Sequence, residues 1–164
     1  MRPGDFNPNV PHYPQPGGYG PASGAAPGGL GLRFAARVID GVLVNIVAFL
    51  LSLFTLDRDY WFLATGLFSG VLMFGYFVLL EVTHGATLGK RLLGLTVRGP
   101  GGADKPDAKQ SATRNAFTLL AVIPYVGSLI AFVAYIVIAA TISASPTKQG
   151  KHDEWAGGTQ VVKG

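Results

Sequence analysis

Of the chain's 164 residues 49% are hydrophobic and only 13% charged, and the mean hydropathy is +0.36. Soluble domains carry about 25% charged residues, so this balance points to a small membrane protein and away from a soluble enzyme. Cysteine is absent, which excludes disulfides, thiolate metal sites and a cysteine nucleophile. The net charge of +4 does not imply nucleic acid, because the basic residues flank apolar runs, where a membrane protein meets anionic headgroups.

Proline and glycine crowd residues 1–31, which have little to bury and read as a disordered cytoplasmic tail with some polyproline character. No apolar core follows the N-terminal charge, so the tail does not read as a signal peptide. The ordered domain is expected over 32–164. Val38 to Leu56 is apolar apart from Asp40 and Asn45, and Trp61 to Leu80 is twenty residues without a charge, enough to cross a hydrocarbon core of ~30 Å. Helices are predicted at about 32–56 and 60–83, joined by the short link at 57–60 into an antiparallel pair, with Tyr60 and Trp61 as interface anchors. Gly66 and Gly70 form a GxxxG pair that suits a close-packing face.

Residues 84–112 form a basic loop expected on the cytoplasmic side. Gly85, Gly89 and Lys90 are one residue short of a phosphate-binding loop, and Arg91 stands where a hydroxyl is needed, so no nucleotide site is assigned. Leu88, Leu92 and Leu95 beside Lys90 and Arg91 predict a short basic helix lying on the membrane surface. LTVRG (95–99) and GTQVVK (158–163) read as two brief strands that pair if loop and tail share a side.

Residues 115–147 run for 33 residues without a charge, about 50 Å as one helix and too long for a single span. Pro124 and Gly127 break the run, predicting helices at about 113–124 and 127–144 and a C-terminal cytoplasmic segment over 145–164. A hairpin there puts twelve of the thirteen Lys and Arg on one face. A single crossing splits them nine to four, so the positive-inside bias favours the hairpin, with both termini cytoplasmic in a multi-pass protein of the cell membrane.

Arg33, Arg37 and Asp40 fall on one helical stripe beside Ala36. Asp40 lies at shallow depth, where a neighbouring guanidinium would keep it ionised. Arg33 can reach the headgroups or a second acid, Asp153, in GKHDEWAGGT. The plainer reading of that stretch is a solvated tail with Trp155 at the interface. Glu81 and His84 have ExxH spacing without a second copy, and His152 and Asp153 form an HD pair with too few other histidines for a metal site. No serine sits in a nucleophile elbow. No catalytic residue, cofactor or metal is therefore expected, and the protein does not read as an enzyme.

Three blocks make the chain resemble the RDD family of small polytopic membrane proteins: Arg33, Ala36, Ile39 and Asp40 as RxxAxxID; residues 85–97 as GxTLGKRLLGLxV; and residues 152–162 as HDxxAGTxVV. The last departs from the pattern, with AGGT between Ala156 and Thr159. The resemblance maps the family's named arginine to Arg33 and its aspartates to Asp40 and Asp153. Arg37, Glu81, Lys90, Arg91 and His152 are secondary candidates. The apolar runs and their break predict a fold that is all-α, with two transmembrane helices, a third apolar segment broken near Pro124 to give four helices in all, and a small cytoplasmic β element. The family has no settled biochemistry; cation/proton exchange is suggested for some members and association with membrane proteins for others. The reading placed first is a structural or partner-binding membrane module built around the Arg/Asp/Asp cluster. Its partners would be a bilayer with anionic headgroups and other membrane proteins or a second copy. Monovalent cation/proton exchange, or other small-solute transport by an oligomer, is the alternative.

Overall fold

The computed structural model describes residues 25–54 and 61–164, with side chains from residue 65 onward in the second stretch. The tail reading for 1–24 and the link and anchor readings at 57–61 lie outside the described residues. Three helices are long and apolar enough to cross a membrane: α1 (Leu30–Ser52), the Thr65–His84 part of α2 (Trp61–His84), and α5 (Gly127–Ala144). Only 17 to 22% of the residues in their most apolar stretches are buried, so most of their surface is left for lipid or another protein.

Spacing of small residues decides which face α1 buries: Ala36, Asp40, Val44, Ala48 and Ser52 recur every four residues and all are buried. Across this stripe Val44 packs with Met73 and Phe77 of α2. α2 ends at Gly85, whose positive φ of 69° turns the chain out of the helix. The short α3 (Leu88–Leu92) and β1 (Leu95–Arg98) follow. β1 pairs antiparallel with β2 (Gln160–Lys163), Val97 opposite Val161, as the β-branched residues predicted. Leu95, Val97 and Val161 form a second small core with Ala36.

Three boundaries differ from the sequence reading. The fold takes in residues 25–31 as well: Gly28 donates to the Val161 carbonyl, Lys163 donates to that of Ala26, and α1 begins at Leu30, since an extended segment beside β2 satisfies its outer edge. Next, α4 (Ala108–Asn115) starts inside the expected loop, because Asp107 and Gln110 form a reciprocal capping box there. The apolar segment after it, residues 116–122, is a 3-10 helix rather than α. Side chains compete for the α4 carbonyls that lead into it: Asn115 donates to the Ser111 carbonyl and Thr118 to that of Asn115. α1 also closes at Ser52, short of the expected 56.

This 3-10 segment uses the GxxxG pair. A Cβ on Gly70 would meet Val122 Cγ2 at 2.7 Å, and one on Gly66 would meet the Ala121 carbonyl at 3.5 Å. Beyond Pro124 the chain reverses, and a Cβ on Gly127 would lie 2.4 Å from the Leu120 carbonyl oxygen. α5 then runs back until Thr141 accepts from the Lys151 amide, which opens the one-turn helix α6 (Lys151–Trp155).

Candidate functional site: a buried charge network

Between the two apolar cores lies a polar layer built from α1, α2, α3, α4 and α6. Asp40 is fully buried, yet no guanidinium reaches it. Its oxygens accept from the Tyr76 hydroxyl (2.6 Å), the Thr87 hydroxyl (2.6 Å) and the Gly89 amide (2.8 Å). Two of these donors come from the ATLG turn: Thr87 caps α3, and the Gly89 amide sits two residues on, in the first turn of the helix. The expectation that an adjacent arginine neutralises Asp40 is therefore corrected. Arg37 turns instead to Asn115 Oδ1 (3.1 Å) and lies flat over the Phe77 ring, 3.8 Å from its centroid.

Glu81, also fully buried, is the centre of a second group. It pairs with Lys90, accepts from Ser111 (2.9 Å) and Asn115 (3.0 Å), and lies 3.7 Å from Arg114 Nε. Lys90 thus faces inward and Leu95 turns into the core, which differs from the expected shared face, while Leu88, Arg91 and Leu92 of the same short helix stay exposed. Burial pushes the Lys90 ammonium down to about 8, with Glu81 opposing the shift.

Arg114 carries the network on to Asp153, whose Oδ1 it meets at 3.1 Å. Arg33, from the start of α1, meets Oδ2 at 3.1 Å. The Gly150 amide (3.2 Å) and the Thr159 hydroxyl (3.2 Å) complete the shell. Burial opposes the ionised form of Asp153, but the Arg114 and Arg33 guanidiniums overcome it and hold the carboxyl well below the usual carboxylate range. His152 is buried beside it, edge-on to Phe117, and burial lowers its imidazole to about 3, so it is neutral near pH 7.

Of the residues singled out from sequence, Arg33 and Asp153 therefore meet, while Asp40 is held separately. Arg37, Glu81, Lys90 and His152 join the same layer; Arg91 is exposed, and His84 is exposed and bonded to Thr83. Sequence reasoning missed Tyr76, Thr87, Ser111, Arg114 and Asn115. Two of them carried a signal. Tyr76 brings a hydroxyl that needs a partner into an apolar span, and Arg114 is the last charge before the long uncharged run. Each oxygen of the three carboxylates has at least one donor from this chain. The layer holds four cations (Arg33, Arg37, Lys90, Arg114) against those three carboxylates. The described residues include no cluster of three or more His, Asp and Glu arranged for a metal ion.

The sequence model of the RDD family matches residues 27–157. No curated protein and no solved structure matches the chain.

Proposed function

The chain belongs to the RDD family, an integral membrane protein by its apolar helices, and on that premise we propose that it is a structural, partner-binding membrane module rather than an enzyme. The observation that carries this reading is that every oxygen of the layer's three carboxylates already has a donor. A cation carrier needs a carboxylate free to exchange a proton for an ion. Here Asp40, Glu81 and Asp153 are already held by internal donors, and the cations paired with Glu81 and Asp153 repel a further one. The charges lock the ends of α1, α2, α4 and α6 in register, and the apolar faces above them remain for lipid and for another membrane protein.

Contacts also favour an even number of crossings. Arg33 with Asp153, and β1 with β2, need the start of α1, the 84–112 loop and the C-terminal segment on one side. The positive-inside bias favours the cytoplasm for that side, with anionic headgroups as neighbours. Residues 108–144 then form the fourth-helix hairpin that turns at Pro124.

The decisive experiment is flux in proteoliposomes under an imposed pH gradient, run beside thermal unfolding. Wild-type protein should give no cation-dependent pH change, while Asp153→Asn should lose about 3–5 kcal/mol of stability because Arg33 and Arg114 are left buried without their anion. A cation-driven pH change that Asp40→Asn abolishes in well-folded protein would replace this reading with exchange. Since the chain has no cysteine, Gln160→Cys tests the topology. The thiol should resist a membrane-impermeant maleimide in intact cells, and labelling from outside would overturn the even crossing.

A further inference from the structure

At the depth of the spans, α1, α2, the 116–122 segment and α5 line a half-open cavity of about 420 Å³, with the Tyr135 ring on its wall 5.8 Å from the Arg37 guanidinium. That volume lies within the range of small-molecule sites. None of its lining residues is charged, and the wall is mostly apolar, with Met73, Ala131 and Phe132 among its residues. Set into this wall are the polar groups of Asn45, Ser69, Ser128 and Tyr135. Ser69 donates to Asn45 Oδ1, and Asn45 donates one amide hydrogen to the Gly41 carbonyl. The second Asn45 N–H and the Ser128 and Tyr135 hydroxyls make no hydrogen bond among the described residues.

Hydrogen-bonding groups without partners are costly in a hydrocarbon environment, and an acyl chain filling the space would leave them so. We infer that this cavity is a binding site for a small uncharged molecule with an apolar body and one or two hydrogen-bonding groups, which reaches it from within the bilayer. An ion is disfavoured by the uncharged wall. A hydrocarbon satisfies the volume but not the hydroxyls, and a freely water-soluble polar molecule satisfies the hydroxyls but not the wall.

The test uses the full chain in detergent micelles and a photoactivatable diazirine derivative of a dialkylphenol, a neutral ring with one hydroxyl. Adducts are mapped by mass spectrometry in competition with 2,6-diisopropylphenol and with 1,3-diisopropylbenzene, its hydroxyl-free counterpart. Labelling should be saturable, should fall on peptides containing Ser69, Ser128 or Tyr135, and should be displaced by the phenol but not by the hydrocarbon. In the double variant Ser128→Ala, Tyr135→Phe, checked for native helicity and elution, the phenol should compete about thirtyfold more weakly, as expected for two lost hydrogen bonds. Tyr135→Phe keeps the ring against Phe117. Equal competition by the hydrocarbon would mean that the cavity takes only apolar chains. Unsaturable labelling spread along the helices would mean bulk lipid, and loss of labelling on cross-linked dimers would mean that a second copy fills the space. Each of these three results overturns the inference.

Discussion

Gly89→Ala is the substitution whose sign separates tertiary packing from local preference. Alanine is the better helix former by about 1 kcal/mol, so α3 considered alone predicts a gain. In the folded protein the added methyl would lie 2.3 Å from the Ala36 carbonyl oxygen and 3.0 Å from the Asp40 carboxyl. The first is backbone in the middle of the α1–α3 contact and cannot swing aside, so α3 must move. Overpacking of this kind costs about 1–3 kcal/mol, and withdrawing the Gly89 amide from a buried carboxylate costs about 1.5–3 kcal/mol more. Set against the gain in propensity, the net loss is about 1.5–5 kcal/mol. At roughly 4 °C per kcal/mol for a domain of this size, the midpoint should fall by roughly 6–20 °C. Circular dichroism melts in detergent micelles measure it, with Gly41→Ala as the paired control. A Cβ on Gly41, in α1, meets nothing within 4 Å, so that variant should melt at or slightly above the wild-type temperature. Two variants melting within ~2 °C of each other would refute the argument that the ATLG turn is held by close approach to Asp40.

Tyr76→Phe should cost about 1.5–3 kcal/mol in the same melts, because the hydroxyl both donates to Asp40 and accepts from the Leu88 amide; a loss under 0.5 kcal/mol, near ~2 °C, would place Asp40's holding elsewhere. Stability should also decline in mild acid. Below pH ~6.5 the unfolded chain protonates His152 while the native one refuses the proton until about pH 3, which amounts to about 2 kcal/mol lost by pH 5. Asp153 contributes nothing to that slope, since its depressed carboxyl titrates only in stronger acid. His152→Gln should therefore flatten the decline between pH 7 and 5, and an unchanged slope would show that another group is responsible.

Whatever followed from periodicity was legible beforehand. The i, i+4 stripe on α1, the strands at 95–98 and 160–163, and the break at Pro124 are each local patterns with a local cause. Pairings were not legible in the same way. Asp40 and Arg37 lie within a turn of each other and still part company, because Arg37 finds an aromatic face and an amide, while a glycine amide and two hydroxyls fit the carboxylate more closely. The helical spacing of Leu88, Leu92 and Leu95 suggested one face, but the helix stops at Leu92 and Gly94, with φ of 64°, sends Leu95 the other way. Polar residues such as Ser111 and Asn115 gave no sign in one dimension, since their role depends on Glu81 reaching them from another helix.

Arg33 and Asp153 stand 120 positions apart, and β2 lies later still. During synthesis the helices therefore enter the bilayer with Arg33 and Arg114 lacking the anion that holds them, and no earlier acid takes its place at Arg33. Without Asp153 the apolar helices are unchanged, but Arg33 has no acid and Arg114 has only Glu81, 3.7 Å from its Nε. Closure of the domain thus waits on residues 150–163 rather than on the helices that make up most of its mass.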